Sequence, residues 1–234
     1  MKKSKILTIG ALSLCMLVSA AGCNSLTNTG KGALIGGGGG AAAGAGIGAL
    51  IGGGKGAGIG AAIGAAVGAG AGTLIGRKMD KQKAELQKEL ADKAAVETVT
   101  DQNGLQAIKV TFQSGILFPF NGVELSQTAR GELAGFAQSL LNNPQTNVQI
   151  FGFTDNKGTE AANQKVATGR ADAVRTFLIN SGVASSRLSA RGIPKADYVA
   201  SNDTEEGRAQ NRRVEIYITA NDQMIKQAEA GTLQ

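Results

Sequence analysis

The sequence predicts an α+β domain, with two main helices on one face of a small mixed β-sheet, set behind a glycine-rich helical hairpin. Three observations lead there. Beyond residue 105, apolar residues switch between the alternation of strands and the three-to-four spacing of helices. The two longest helical stretches carry start and stop residues. Glycine also recurs at every fourth position from Gly32 to Gly76, with Ala, Ile, Leu and Val between.

The chain opens with an address. Lys2, Lys3 and Lys5 precede an apolar run from Ile6 to Ala21, and Ala20-Ala21-Gly22 leads into Cys23. This pattern reads as a signal peptide over residues 1–22. The small residues before the cysteine resemble a bacterial lipobox, although Ala20 stands where leucine is usual. The resemblance implies that Cys23 is lipidated and heads a short segment, 23–30. Asn24 and Ser25, with no aspartate, imply sorting to the outer membrane. Cleavage would leave the mature chain near +3 rather than the formal +6. It would also remove Cys15, so the two cysteines are no disulfide framework.

Residues 31–79 contain the repeat: twelve glycines in register and no acid between Lys31 and Asp80. A period of four places small residues on one helix face, where two backbones can approach closely. The block divides at Gly52-Gly53-Gly54-Lys55 into halves of about 20 residues, each about 30 Å as helix. The expectation is a membrane hairpin, with Lys31, Arg77 and Lys78 on one side and Lys55 at the turn. Glycine costs about 1 kcal/mol against alanine in a helix, so membrane or self-association must supply the order.

Residues 80–104 read as a helical connector and a first strand. Leu86, Leu90 and Ala94 form a thin apolar stripe. Val96, Thr98 and Thr100 alternate before the turn Asp101-Gln102-Asn103-Gly104, and Ile108, Val110 and Phe112 alternate after it.

The domain proper spans 105–220. Ser126 caps a helix to about Leu141 that turns Leu133, Phe136, Ala137, Leu140 and Leu141 inward and ends before Pro144. Val148, Ile150, Phe151 and Phe153 make a strand. A second helix runs from about Glu160 to Asn180 and stops at Gly182. Leu188–Gly192 and the alternating Val214, Ile216 and Ile218 complete the sheet. Residues 221–234 form a tail without a clear signal.

The second long helix carries an anomaly. Val166, Ala173, Val174, Phe177 and Leu178 define its apolar face, and Arg170 lies on that face with Asn163 two turns before it. A guanidinium turned inward needs an anion. Asp155, at the end of the preceding strand, is the candidate. A plain Asp155–Arg170 bridge with no ligand is the alternative.

Three blocks in order resemble the OmpA-like C-terminal domain family. They are Phe118-Pro119-Phe120-Asn121; Gly152 to Gly158 with Asn163 and Gly169-Arg170-Ala171; and Gly207 to Ile216. With the lipidated glycine-zipper segment in front, the chain resembles an OmpA-like outer-membrane lipoprotein. The resemblance implies a two-layer fold and a ligand, the diaminopimelate-type stem peptide of peptidoglycan. It implies that Asp155 takes the ammonium and Arg170 the carboxylate in a two-bond fork. Asn163, Thr154 and Asn121 would add hydrogen bonds, and Arg213 would support from the last strand. Val166-Ala167 and Phe153 depart from the family's usual Leu-Ser and histidine.

Enzyme readings are disfavoured by the absence of histidine, of a serine-nucleophile motif and of clustered metal ligands. No cofactor or metal is implied. No basic tract with interleaved aromatics points to nucleic acid. A motor stator would need an acid inside the membrane segment, and the repeat has none. The expectation is a tether between outer-membrane lipid and peptidoglycan, with homo-oligomerisation through the zipper as a further contact. The alternative function is a glycine-zipper pore or envelope-integrity protein positioned by the wall-binding domain.

Overall fold

The computed structural model describes residues 69–101, 104–119 and 122–234. Cys23 and the greater part of the glycine repeat therefore lie outside the described residues, as does Asn121. Within them, the α+β expectation holds: a five-stranded mixed sheet is packed on one face by helices.

The chain enters through helix α1 (Ala69–Glu89). Strands β1 (Ala95–Thr100) and β2 (Gln106–Gln113) follow as an antiparallel hairpin. Its turn is closed by Asp101, whose carboxylate accepts from Leu105 N at 2.9 Å, and by Gly104 at φ +73°. A short helix α2 (Ser114–Leu117) leads to α3 (Gln127–Asn142), where Ser126 Oγ accepts from Ala129 N as a cap. Strand β3 (Thr146–Phe153), helix α4 (Glu160–Asn180) and strand β4 (Leu188–Ile193) form a parallel β-α-β unit. Helix α5 (Glu205–Asn211), strand β5 (Arg213–Ala220) and helix α6 (Asp222–Glu229) end the fold. The strand order β1-β2-β5-β3-β4 puts the last strand in the middle, antiparallel to both neighbours.

The core joins Ile108, Val110, Phe112, Val148, Ile150, Val214, Ile216 and Ile218 of the sheet to Leu133, Phe136, Leu140, Val174 and Leu178 of the helices. Phe112 and Phe136 meet edge to face with centroids 6.4 Å apart. Leu141 departs from expectation and is 39% exposed. It sits about 100° round α3 from Leu140, and only one of two consecutive helical residues can face the centre of the layer.

The boundary expected at 79/80 falls inside α1. Ala71, Ile75, Met79, Leu86 and Leu90 are all buried in the domain core. The connector's apolar stripe thus continues back into the glycine repeat, and residues 69–79 are part of the folded domain rather than the end of a membrane hairpin. Gly76, the last glycine of the repeat, sits where an added Cβ would lie 3.3 Å from Gln106 Oε1 on β2, so its small size serves close packing on the sheet. Among the described residues no helix is long and apolar enough to cross a membrane.

The tail is also structured. Asn221 caps α6, and Met224, Ala228 and Leu233 are buried where α6 packs on α1.

Candidate functional site

Two glycines place the site. Gly152 on β3 and Gly192 on β4 are register partners. A Cβ at Gly152 would collide with the Ala167 carbonyl, and one at Gly192 with the backbone of Thr168. Helix α4 therefore presses its backbone onto the sheet at Ala167–Thr168, and the next turn carries Arg170 to the sheet's edge of the core. The turn between β3 and α4 is equally fixed. Lys157 N donates to Asp155 Oδ1 at 3.0 Å, Gly158 takes φ +82°, and Thr159 Oγ1 caps α4 by accepting from Ala162 N. Asn163 Nδ2 donates back to the carbonyls of Lys157 (2.6 Å) and Thr159 (2.9 Å).

These elements enclose an open pocket of about 470 Å³ whose lining includes Thr154, Asp155, Asn163, Arg170, Glu205 and Arg212. Four of the six expected ligand residues therefore converge: Thr154, Asp155, Asn163 and Arg170. Asn121 lies outside the described residues.

Arg213 does not line the pocket. It begins β5 on the opposite side of the strand from the main core. There its Nε meets Glu215 Oε1 at 2.7 Å, its Nη2 donates to the Asp197 carbonyl, and its guanidinium covers the Phe153 ring at 3.8 Å. Tyr217 Oη donates to Glu215 Oε2 at 2.7 Å, which completes a buried polar triad. Burial and the Glu215 charge push the Tyr217 hydroxyl pKa upward.

Its neighbour Arg212 enters the pocket instead. Arg212 Nη1 lies 2.7 Å from Asp155 Oδ2, and Nη2 lies 2.6 Å from Glu205 Oε1. Arg208 holds the other Glu205 oxygen at 2.8 Å. Partial burial alone would lower the Arg212 pKa, but hydrogen bonds to Asp155 and Glu205 outweigh it and raise the value. Hydrogen bonds from Arg212 and Arg208 lower the Glu205 pKa.

Arg170 has no such partner. It is 4% exposed, its Nε donates to the Gly122 carbonyl at 3.0 Å, and its guanidinium stands 5.3 Å from the Phe118 ring centroid. Among the described residues no carboxylate lies within 4 Å of it, so the alternative of a plain Asp155–Arg170 bridge is not formed. Burial, then repulsion from Arg212, lowers its pKa, against an opposing pull from Asp155. The pocket thus presents a buried guanidinium, with donors unspent among the described residues, beside a carboxylate already engaged by a second arginine. This arrangement suits a ligand bearing a carboxylate and an ammonium close together.

Thr154 Oγ1 accepts from Lys195 N at 3.1 Å, which ties the site to the loop after β4. The sequence reading missed Glu205 and singled out no role for Arg212. The cap at Thr204, which accepts from Gly207 N at 3.1 Å, was the signal for the helix that carries Glu205.

The chain also resembles known proteins. Residues 117–212 match the OmpA family, and residues 1–80 match the YMGG-like Gly-zipper family. The chain is 37% identical over 144 residues to the probable lipoprotein YiaD of Escherichia coli, covering 62% of this chain and 64% of that protein. It is 37% identical over 112 residues to the peptidoglycan-binding protein ArfA of Mycobacterium tuberculosis, covering 48% of this chain but only 34% of the relative. The chain thus spans less than two thirds of either relative. Among solved structures, the cell wall anchor of the T6SS from Pseudomonas aeruginosa superposes with a TM-score of 0.51 at 29% identity, covering 58% of this chain and 97% of that one. On sequence and fold together, residues 117–212 resemble a domain of the OmpA family, behind a segment that resembles a YMGG-like Gly-zipper.

Proposed function

We propose that this chain is a non-enzymatic tether that attaches the outer membrane to peptidoglycan. The observation that carries the reading is Arg170, a buried guanidinium that lines an open pocket without an ion-pair partner among the described residues. A buried, uncompensated cation is costly, so a site that keeps one is built for an anion. The zwitterionic head of a diaminopimelate-type stem peptide supplies that anion and its own cation together. Arg170 takes the carboxylate. Asp155 takes the ammonium, its carboxylate being shared between that ammonium and Arg212. Asn163 Oδ1, which has no donor among the described residues, accepts a further hydrogen bond, and Thr154 holds the turn.

The names of the relatives support the same reading: one is called a peptidoglycan-binding protein, one a probable lipoprotein, and one structure a cell wall anchor. Membrane attachment falls to lipid on Cys23 and to the glycine repeat ahead of residue 69, which also offers a surface for homo-oligomers.

Titration of the detergent-solubilised full chain with meso-diaminopimelate by calorimetry tests the site. Saturable binding at one ligand per chain, abolished in Arg170→Ala, is expected. No heat with the intact protein would contradict the proposed ligand.

A further inference from the structure

A second cavity, of about 460 Å³, lies on the far side of the core between α1 and the C-terminal residues. Leu74 and Leu233 give it apolar walls, and Arg77, Lys78 and Lys81 give it three cations against the single acid Glu85. Lys78 Nζ is held by the Gln234 carbonyl at 2.6 Å. Arg77 and Lys81 are exposed, four residues apart on one helix face, and neither has a hydrogen bond or ion pair among the described residues. The helix itself cannot drift, because Ile75 and Met79 are fully buried on its other face. An excess of positive charge, arranged beside apolar walls on a fixed helix, matches an amphiphilic anion.

We propose that this cavity holds the phosphate headgroup of an anionic membrane phospholipid. Arg77 and Lys81 engage the phosphate, and Leu74 and Leu233 contact the glycerol and first methylenes. The inference rests on the membrane attachment proposed above. Its placement follows from the chain: Gly72 and Gly76, the last two glycines of the repeat, are residues of α1 that flank the cavity's Leu74, so the cavity is close in sequence to the proposed membrane segment. The headgroup contact would fix the orientation of the domain against the membrane and turn the stem-peptide pocket away from it.

Native mass spectrometry of the detergent-solubilised full chain tests this with phosphatidylglycerol, phosphatidylcholine and inorganic phosphate as separate probes. The expected result is one phosphatidylglycerol retained per chain, with phosphatidylcholine held at least tenfold more weakly. The Arg77→Gln/Lys81→Gln double variant should lose roughly tenfold or more of the phosphatidylglycerol affinity with its melting temperature unchanged. Equal retention of the two lipids, an unaffected double variant, or inorganic phosphate binding as tightly as the lipid would each overturn the proposal. Flotation with neutral liposomes reads membrane attachment separately. Flotation accompanied by equal lipid retention discards the headgroup site and keeps the anchor. No flotation discards both.

Discussion

Asp155 and Arg212 are joined at 2.7 Å, so the carboxylate at the end of β3 is paired with the residue that precedes β5 rather than with Arg170 on the helix beside it. The pairing leaves Arg170 buried without an ion-pair partner among the described residues, and under the proposed function the ligand's carboxylate supplies that partner. Arg212 also reaches Glu205, so α5 is tied to the site by the same side chain.

Glu205 gives this network a pH dependence. Its pKa is lowered in the folded chain by Arg212 and Arg208. A depressed carboxylate pKa favours folding above the unfolded value and loses that contribution as pH falls through the folded value. The Glu205→Gln variant is therefore expected to melt slightly below the parent near pH 7, and the gap should close as pH falls below the ordinary glutamate range. Thermal melts at several pH values check this. The effect is small because the group is exposed.

The Arg213–Glu215 pair has a different role, because both are nearly fully buried and face away from the pocket. Arg213→Ala or Glu215→Ala leaves one charge buried alone, and urea denaturation should show a loss of about 3–5 kcal/mol. Replacing both by apolar residues should restore much of it. Peptidoglycan binding per folded molecule should remain unchanged in the double variant.

The close approach at Gly152 links stability to binding. Gly152→Ala drives a methyl group into the Ala167 carbonyl and lifts α4 from the sheet. A loss of about 1–3 kcal/mol is expected. Because Arg170 rides on α4, affinity for the wall should fall with it. Melting and sacculus binding measured on the same variant would show both changes.

Met79 tests the extended domain boundary. It is fully buried in the core, so Met79→Ala should cost about 2–5 kcal/mol in the unfolding of the domain. A residue inside a membrane hairpin or a solvated spacer would show almost no such cost.

Much of this was readable from sequence. The β1–β2 hairpin, the Ser126 cap, α4 and Arg170 on its buried face all followed from periodicity and turn residues. Residues 69–79 did not, because the glycine period and the stripe Ile75, Met79 and Leu86 share one helix, and the repeat dominated the pattern. Arg212 and Arg213 were not told apart in the sequence, because Arg212 closes α5 and reaches the pocket whereas Arg213 opens β5, and where the helix gives way to the strand is not set by local pattern. Helix α6 is short and amphipathic, and its order depends on the buried face of α1, a tertiary contact that local pattern does not contain. The half-buried Arg187 was missed as well. It donates to the carbonyls of Leu140, Asn143 and Thr146 at the end of α3, a role set by where the chain folds back.

The central claim is that Arg170 and Asp155 hold the wall. The direct test is co-sedimentation of the full chain with purified peptidoglycan sacculi, in detergent, beside Arg170→Ala and Asp155→Ala. The account predicts that the parent sediments with sacculi and that Arg170→Ala binds at least about thirtyfold more weakly, while its melting shows a folded domain. Asp155→Ala should lose binding to a similar degree. Equal sedimentation of the parent and a folded Arg170→Ala variant would contradict it.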